Sequence, residues 1–230
     1  MTTATRRPQG PTADDKFVAT SLQFLAWARN NTRALILGIA AIGLFAAGIL
    51  YYLDYRQDVQ DFASTNLQNL RFELNSGNTS QTIESLRTYI ARFGSTRYGT
   101  EARVLLAHSL LLQNRAGEAI GPASEAAKNF GSDPLGVRAA FLLAAAQEQV
   151  GDTPAAIDVY LRIGSEARLT PERIRGYDAA AQLYAAGGDG ARAAQVYGEI
   201  LALLPEDGPG RAFYEMQAAD VSAEAINISG

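Results

Sequence analysis

Gly151-Asp152-Thr153-Pro154-Ala155-Ala156-Ile157-Asp158-Val159-Tyr160 reappears, in altered form, as Gly188-Asp189-Gly190-Ala191-Arg192-Ala193-Ala194-Gln195-Val196-Tyr197, 37 residues on. The same step taken backwards from Ala156 reaches Ala119, before Ile120, and then Thr82, before Ile83. It also links Gly77, Asn114, Gly151 and Gly188. Glycine and asparagine tolerate the left-handed conformation that closes a helix. Four such residues at equal spacing therefore mark four helix ends. Around them the apolar pattern is helical. Val137–Val150 is alanine-rich, and Thr153-Pro154 and Thr170-Pro171 read as an N-cap followed by a first-turn proline. Asp152 and Asp189 stand at helix starts, where a carboxylate caps and complements the dipole. β-branched runs alternating with period two are missing, so strands are not expected. Helix–turn–helix units of this length bury their apolar faces only by stacking, which predicts an all-α solenoid.

These positions resemble the tetratricopeptide repeat, which uses small residues where two helices touch and a large one where the next repeat packs. Leu143, Ala144, Gly151, Ala156 and Tyr160 fit in one unit, and Tyr177, Ala181, Tyr184, Gly188, Ala193, Tyr197 and Pro205 in the next. Leu106, Ala107, Leu110, Ala119, Ala123 and Ala126 fit in an earlier unit, which Gly121-Pro122 is expected to distort. Leu70, Gly77 and Leu86 fit in the first, where Thr82 replaces the usual alanine. The units fall at about 63–99, 100–136, 137–173 and 174–210, with a capping helix at about 211–224. The resemblance implies a concave groove for a peptide segment. Its lining carries over to Leu67, Arg71 and Leu74, then Glu101, Val104, His108 and Leu111. Arg138, Phe141 and Glu148 follow, and then Arg175, Asp178 and Gln182. The chain's own anchor-proximal or capping helix is the competing occupant of that face.

Ahead of the repeats, Ala34–Leu53 is twenty positions without a charged or amide side chain. At 1.5 Å per residue such a helix is about 30 Å long, the thickness of a bilayer core. Tyr51 and Tyr52 close one end and Arg33 the other, as interfacial residues do. The leader is long for a signal peptide and no small-residue cleavage site follows, so a retained anchor at 33–55 is expected. Residues 1–13 read as a disordered tail. Residues 14–32 read as an amphipathic juxtamembrane helix, or as a continuation of the spanning helix. Gly43 and Ala47 are a small-xxx-small pair, open to two readings: ordinary glycine use in a span, or a close helix contact. Residues 1–33 carry +3 and residues 54–230 carry −7, which together make the whole-chain −4. That asymmetry predicts a cytoplasmic N-terminus and a repeat domain, 56–230, across the membrane.

Of the chain's 230 residues none is cysteine and only His108 is histidine. Disulfide scaffolds, thiolate metal sites, cysteine nucleophiles and multi-histidine metal sites are thereby excluded. A sequence pI near 5.1 argues against a nucleic-acid partner. No nucleophile-elbow, phosphate-loop or zinc-protease spacing occurs, and Gly187-Gly188-Asp189-Gly190 lies at a repeat turn. The expectation is a non-enzymatic protein with no catalytic residue, metal or cofactor and no small-molecule substrate.

The whole layout resembles the YfgM-type ancillary subunits of the Sec translocon. The residues that carry this are Asp15-Lys16-Phe17-Val18, Trp27, Asn30-Asn31, the glycine-punctuated run and the tyrosine-bearing exit into helical repeats. The resemblance implies a single-pass bacterial inner-membrane protein with a periplasmic repeat domain. Its partners would be translocon subunits, a periplasmic chaperone or an unfolded client. Two alternatives stay open: an accessory subunit of another membrane complex, held through its span, and an organellar import receptor of opposite orientation.

Overall fold

The structure, a computed structural model, describes Arg29 and residues 31–77, 79–130 and 134–228. The chain divides into two units, Met1–Val59 and Gln60–Gly230. The disordered tail expected at 1–13 and the amphipathic helix expected at 14–32 lie almost wholly outside the described residues.

Helix α1 runs from Thr32 to Asn75 without a helix end near residue 55. Its hydrophobic stretch, which begins at Ile36, is long and apolar enough to cross a membrane. In the first unit that stretch buries nothing against protein: Leu44 is 77% exposed and Phe45 73%. In water such a row of exposed apolar side chains is a large unfavourable surface, which a bilayer removes.

The second unit is all helix among its described residues. After α1 come α2 (Thr79–Phe93), α3 (Gly99–Leu112), α4 (Ala116–Ala126), α5 (Pro134–Gln149), α6 (Thr153–Glu166), α7 (Thr170–Ala186), α8 (Gly190–Leu203) and α9 (Arg211–Ile228). The turns that separate the helices of each pair have the backbone predicted for them. Asn114 has φ 58°, Gly151 84° and Gly188 78°, all in the left-handed region. The small residues of the repeat are the points of closest packing, since Ala107, Ala119, Ala144, Ala156, Ala181 and Ala193 are all 0% exposed. Thr82, in the alanine position of the first unit, is equally buried. One continuous core runs from Val104 on α3 to Val221 on α9.

Three local details differ from the sequence reading. The cap of α6 is Asp152, as its place at a helix start predicts, its carboxylate accepting from the Ala155 N–H at 3.3 Å, while Thr153, also read as a cap, is already helical. Helix α7 starts after Leu169 with no side-chain cap, so Thr170 caps nothing. Gly121-Pro122 does not interrupt α4. The helix passes through Pro122 and ends at Ala126 in a short 3₁₀ turn, Ala127–Asn129. Asp189 caps α8 as expected, accepting from the Arg192 N–H at 3.0 Å.

Candidate partner-binding groove

Positions on α3, α5 and α7 separated by the 37-residue step face one groove of about 850 Å³. Arg138, Phe141, Leu142 and Ala145 line it from α5, and Arg175, Asp178, Ala179 and Gln182 from α7. Each set has the spacing i, i+3, i+4, i+7, a single helix face. Each α7 residue lies 37 positions after its α5 counterpart, and His108 lies 37 before Ala145. Pro134 and Pro171, at the same step, line the groove from the first turns of α5 and α7. Six residues expected in the groove are therefore brought together: His108, Arg138, Phe141, Arg175, Asp178 and Gln182.

The other expected positions have different places. Leu67 and Val104 are 2% and 1% exposed and belong to the core, so neither offers surface to a partner. Their helices are rotated further inward than the position count assumes. Arg71 and Glu101 form an ion pair with each other, and Leu74 and Leu111 are half-buried. Glu148 does not line the groove but accepts a 2.6 Å hydrogen bond from the hydroxyl of Tyr160, which does. Gly43 and Ala47 are exposed, and no atom stands within 4 Å of a side chain added at Gly43.

The groove has an aromatic floor with charge on it. The Phe141 and Tyr160 rings are 6.2 Å apart and tilted by 50°. The Arg175 guanidinium lies 4.3 Å from the Phe141 ring centre, a cation–π contact. Burial raises the Tyr160 phenol well above its ordinary range, and the hydrogen bond to the Glu148 carboxylate adds to this. Asp178 accepts a 2.9 Å hydrogen bond from the Gln182 amide. Lost hydration pushes the Asp178 carboxyl upward, and that hydrogen bond partly offsets the rise. Among the described residues no three His, Asp or Glu side chains are placed to hold a metal ion.

Sequence reasoning overlooked a set of arginines that fasten one helix pair to the next. Arg103 donates to the Gly94 carbonyl at 3.0 Å, and Arg173 to the Gly164 carbonyl at 2.8 Å. Arg211 donates to the carbonyls of Leu201 and Leu204, both at 3.1 Å. Each satisfies a carbonyl at or just beyond the end of the preceding helix, where no intrahelical donor remains. The 38-residue step from Arg173 to Arg211, close to one 37-residue period, was the available signal.

A family model described as a tetratricopeptide repeat-like domain matches residues 26–223. No curated protein matches the chain. Among solved structures, it is similar to a Podosopora anserina putative kinesin light chain with nearly identical TPR-like repeats. The identity is 16% and the TM-score 0.53, over 70% of this chain and 85% of that one. A tetratricopeptide repeat protein from Parabacteroides merdae is 16% identical with a TM-score of 0.55, over 72% of this chain and 63% of that one. At these identities the likeness is one of fold.

Proposed function

The chain belongs to the tetratricopeptide repeat-like domain family, and from that premise we propose that it is a non-enzymatic protein-interaction scaffold held at a membrane. The observation that carries this reading is the groove across α3, α5 and α7, lined by the aromatic Phe141 and Tyr160 and by charged side chains. An extended or helical segment of another protein suits such a surface. The exposed apolar stretch of α1 supplies the anchor. The split of charge, +3 before the span and −7 after it, supports a cytoplasmic N-terminus and a periplasmic repeat domain. Together with the resemblance of its leader and span, this makes the translocon of a bacterial inner membrane the proposed station. There the groove would receive emerging proteins or the chaperones that take them over.

Two experiments test the reading. Extraction in mild detergent and affinity purification should recover translocon subunits, and recovery of an unrelated complex alone would reject that station. The chain lacks cysteine, so single cysteines at Thr5 and Ser165 are unique labels. In intact cells an impermeant thiol reagent should reach position 165 and not position 5, and the reverse pattern overturns the topology. The small-residue pair Gly43 and Ala47 supports one further reading, attachment of the span to another membrane complex. Gly43→Leu combined with Ala47→Leu would then release the protein from that complex.

A further inference from the structure

The carboxylates in and beside the groove have a hydrogen-bond partner or a place at a helix start, while the groove's two arginines have no carboxylate partner among the described residues. Glu148 is bound by the Tyr160 hydroxyl and Asp178 by the Gln182 amide. Glu172, also in the lining, lies in the first turn of α7, where the helix dipole offsets its charge. Arg138 and Arg175, by contrast, have no carboxylate at ion-pair distance among the described residues, although the chain as a whole is acidic. Most other arginines of the repeat unit are committed, to Glu101, Glu118, Glu166, Asp189 or Glu215, or to a backbone carbonyl.

Arg175 also has an aromatic neighbour. Its guanidinium lies over the Phe141 ring, 4.3 Å from the ring centre, and its side chain stays exposed to a carboxylate. Arg138 is one helical turn from Phe141 on the same face of α5. Both arginines thus line the groove with Phe141, whose ring centre is 6.2 Å from that of Tyr160.

Resting on the groove reading above, we infer that the partner is an extended peptide segment in which aspartate or glutamate alternates with large apolar side chains. Its carboxylates would meet Arg138 and Arg175, and its apolar side chains the rings of Phe141 and Tyr160. The carboxylates are side-chain groups within the segment rather than a chain end.

The test uses the full-length protein in detergent and three fluorescent peptides, acetylated and amidated at their ends. One alternates glutamate with phenylalanine and leucine. The second carries glutamine, and the third lysine, at every glutamate position. The glutamate peptide should bind about tenfold more tightly than the glutamine peptide, and the lysine peptide more weakly than either. Arg138→Gln with Arg175→Gln should erase the difference between glutamate and glutamine, while the melting curve shifts only slightly, because both side chains are exposed and only the Arg175–Phe141 contact is lost. Equal binding of glutamate and glutamine peptides, both weakened by Phe141→Ala, keeps the groove and overturns its acidic preference. Tighter binding of the lysine peptide overturns it as well. Binding by a free-acid peptide with no internal glutamate, where the capped glutamate peptide fails, overturns the side-chain source. Failure of every peptide removes both the groove reading and this inference.

Discussion

Residues 34–53 and the helices α5 to α8 are both rich in alanine, leucine and glycine, and they have opposite surroundings. In the first, Ile36, Leu44 and Phe45 are 63% to 77% exposed and nothing approaches Gly38, Gly43 or Gly48 within 4 Å. In the second, Ala144, Ala156, Ala181 and Ala193 are fully buried. A Cβ at Gly164 would meet the Tyr177 ring at 2.4 Å, and one at Gly176 would meet the Gly164 nitrogen and Tyr160 oxygen at 2.8 Å. Composition therefore does not decide burial; the placement of polar residues does. Twenty positions without a charge leave a helix no polar face, so no side is suited to water. Where charges recur every few residues, as at Asp158, Arg162 and Glu166 on α6, one stripe is left to pack against protein.

That contrast is broken most severely by charge in the first region. Leu44→Arg with Phe45→Arg puts two cations at the centre of the run, at about 2.5–3.5 kcal/mol each against insertion. The protein should move from the carbonate-resistant membrane fraction to the soluble one, with the repeat domain still folded by circular dichroism. Glycine replacement separates the two regions next. Gly176→Leu should destabilise the repeat domain by about 1–3 kcal/mol through overpacking at the α6–α7 crossing. Gly43→Leu should leave its thermal melt unchanged, because open space surrounds that position.

What could be read from the sequence follows the same division. The step of 37 located the turns because a left-handed residue is a backbone demand with a short list of acceptable side chains, and Asn114, Gly151 and Gly188 meet it. Six groove residues were legible because the step also fixes which helix face is shared. Leu67 and Val104 were misplaced because a position count cannot sense how far each helix rotates into the core. Arg103, Arg173 and Arg211 were missed because their acceptors are backbone carbonyls, which carry no side-chain signature and leave only a rough spacing as a cue. The N-caps were off by one at α6, since Asp152 and Thr153 are both good caps and only geometry chooses between them.

Smaller substitutions sharpen the comparison inside the solenoid. Asn114 holds φ 58°, a conformation that glycine adopts without the penalty of a Cβ. Asn114→Gly should therefore raise stability by a few tenths to about 1 kcal/mol, and Gly188→Ala should lower it by about 1 kcal/mol. Denaturant titration of the pair measures both. Asp189→Ala removes a cap and should cost about 1 kcal/mol, while Thr170→Ala, which removes no cap, should cost much less.

The smallest effect concerns Asp178 and has a pH signature. Its carboxyl is raised above the ordinary 3.8 by lost hydration, so folding favours the protonated form. A raised folded value gives stability that is complete below pH 3.8 and disappears as pH rises through the folded value. At neutral pH the ionised carboxylate is thus a burden on the folded state. Asp178→Asn keeps an acceptor for the Gln182 amide at 2.9 Å and removes the ionisation. The variant should melt slightly higher than the parent at pH 7, and the difference should shrink as pH falls through the raised folded value and be gone below 3.8. Asp178 is half-buried and lines the groove, so its charge keeps part of its hydration, whereas an aspartate introduced among the charge-free residues 34–53 would be far more costly inside a bilayer.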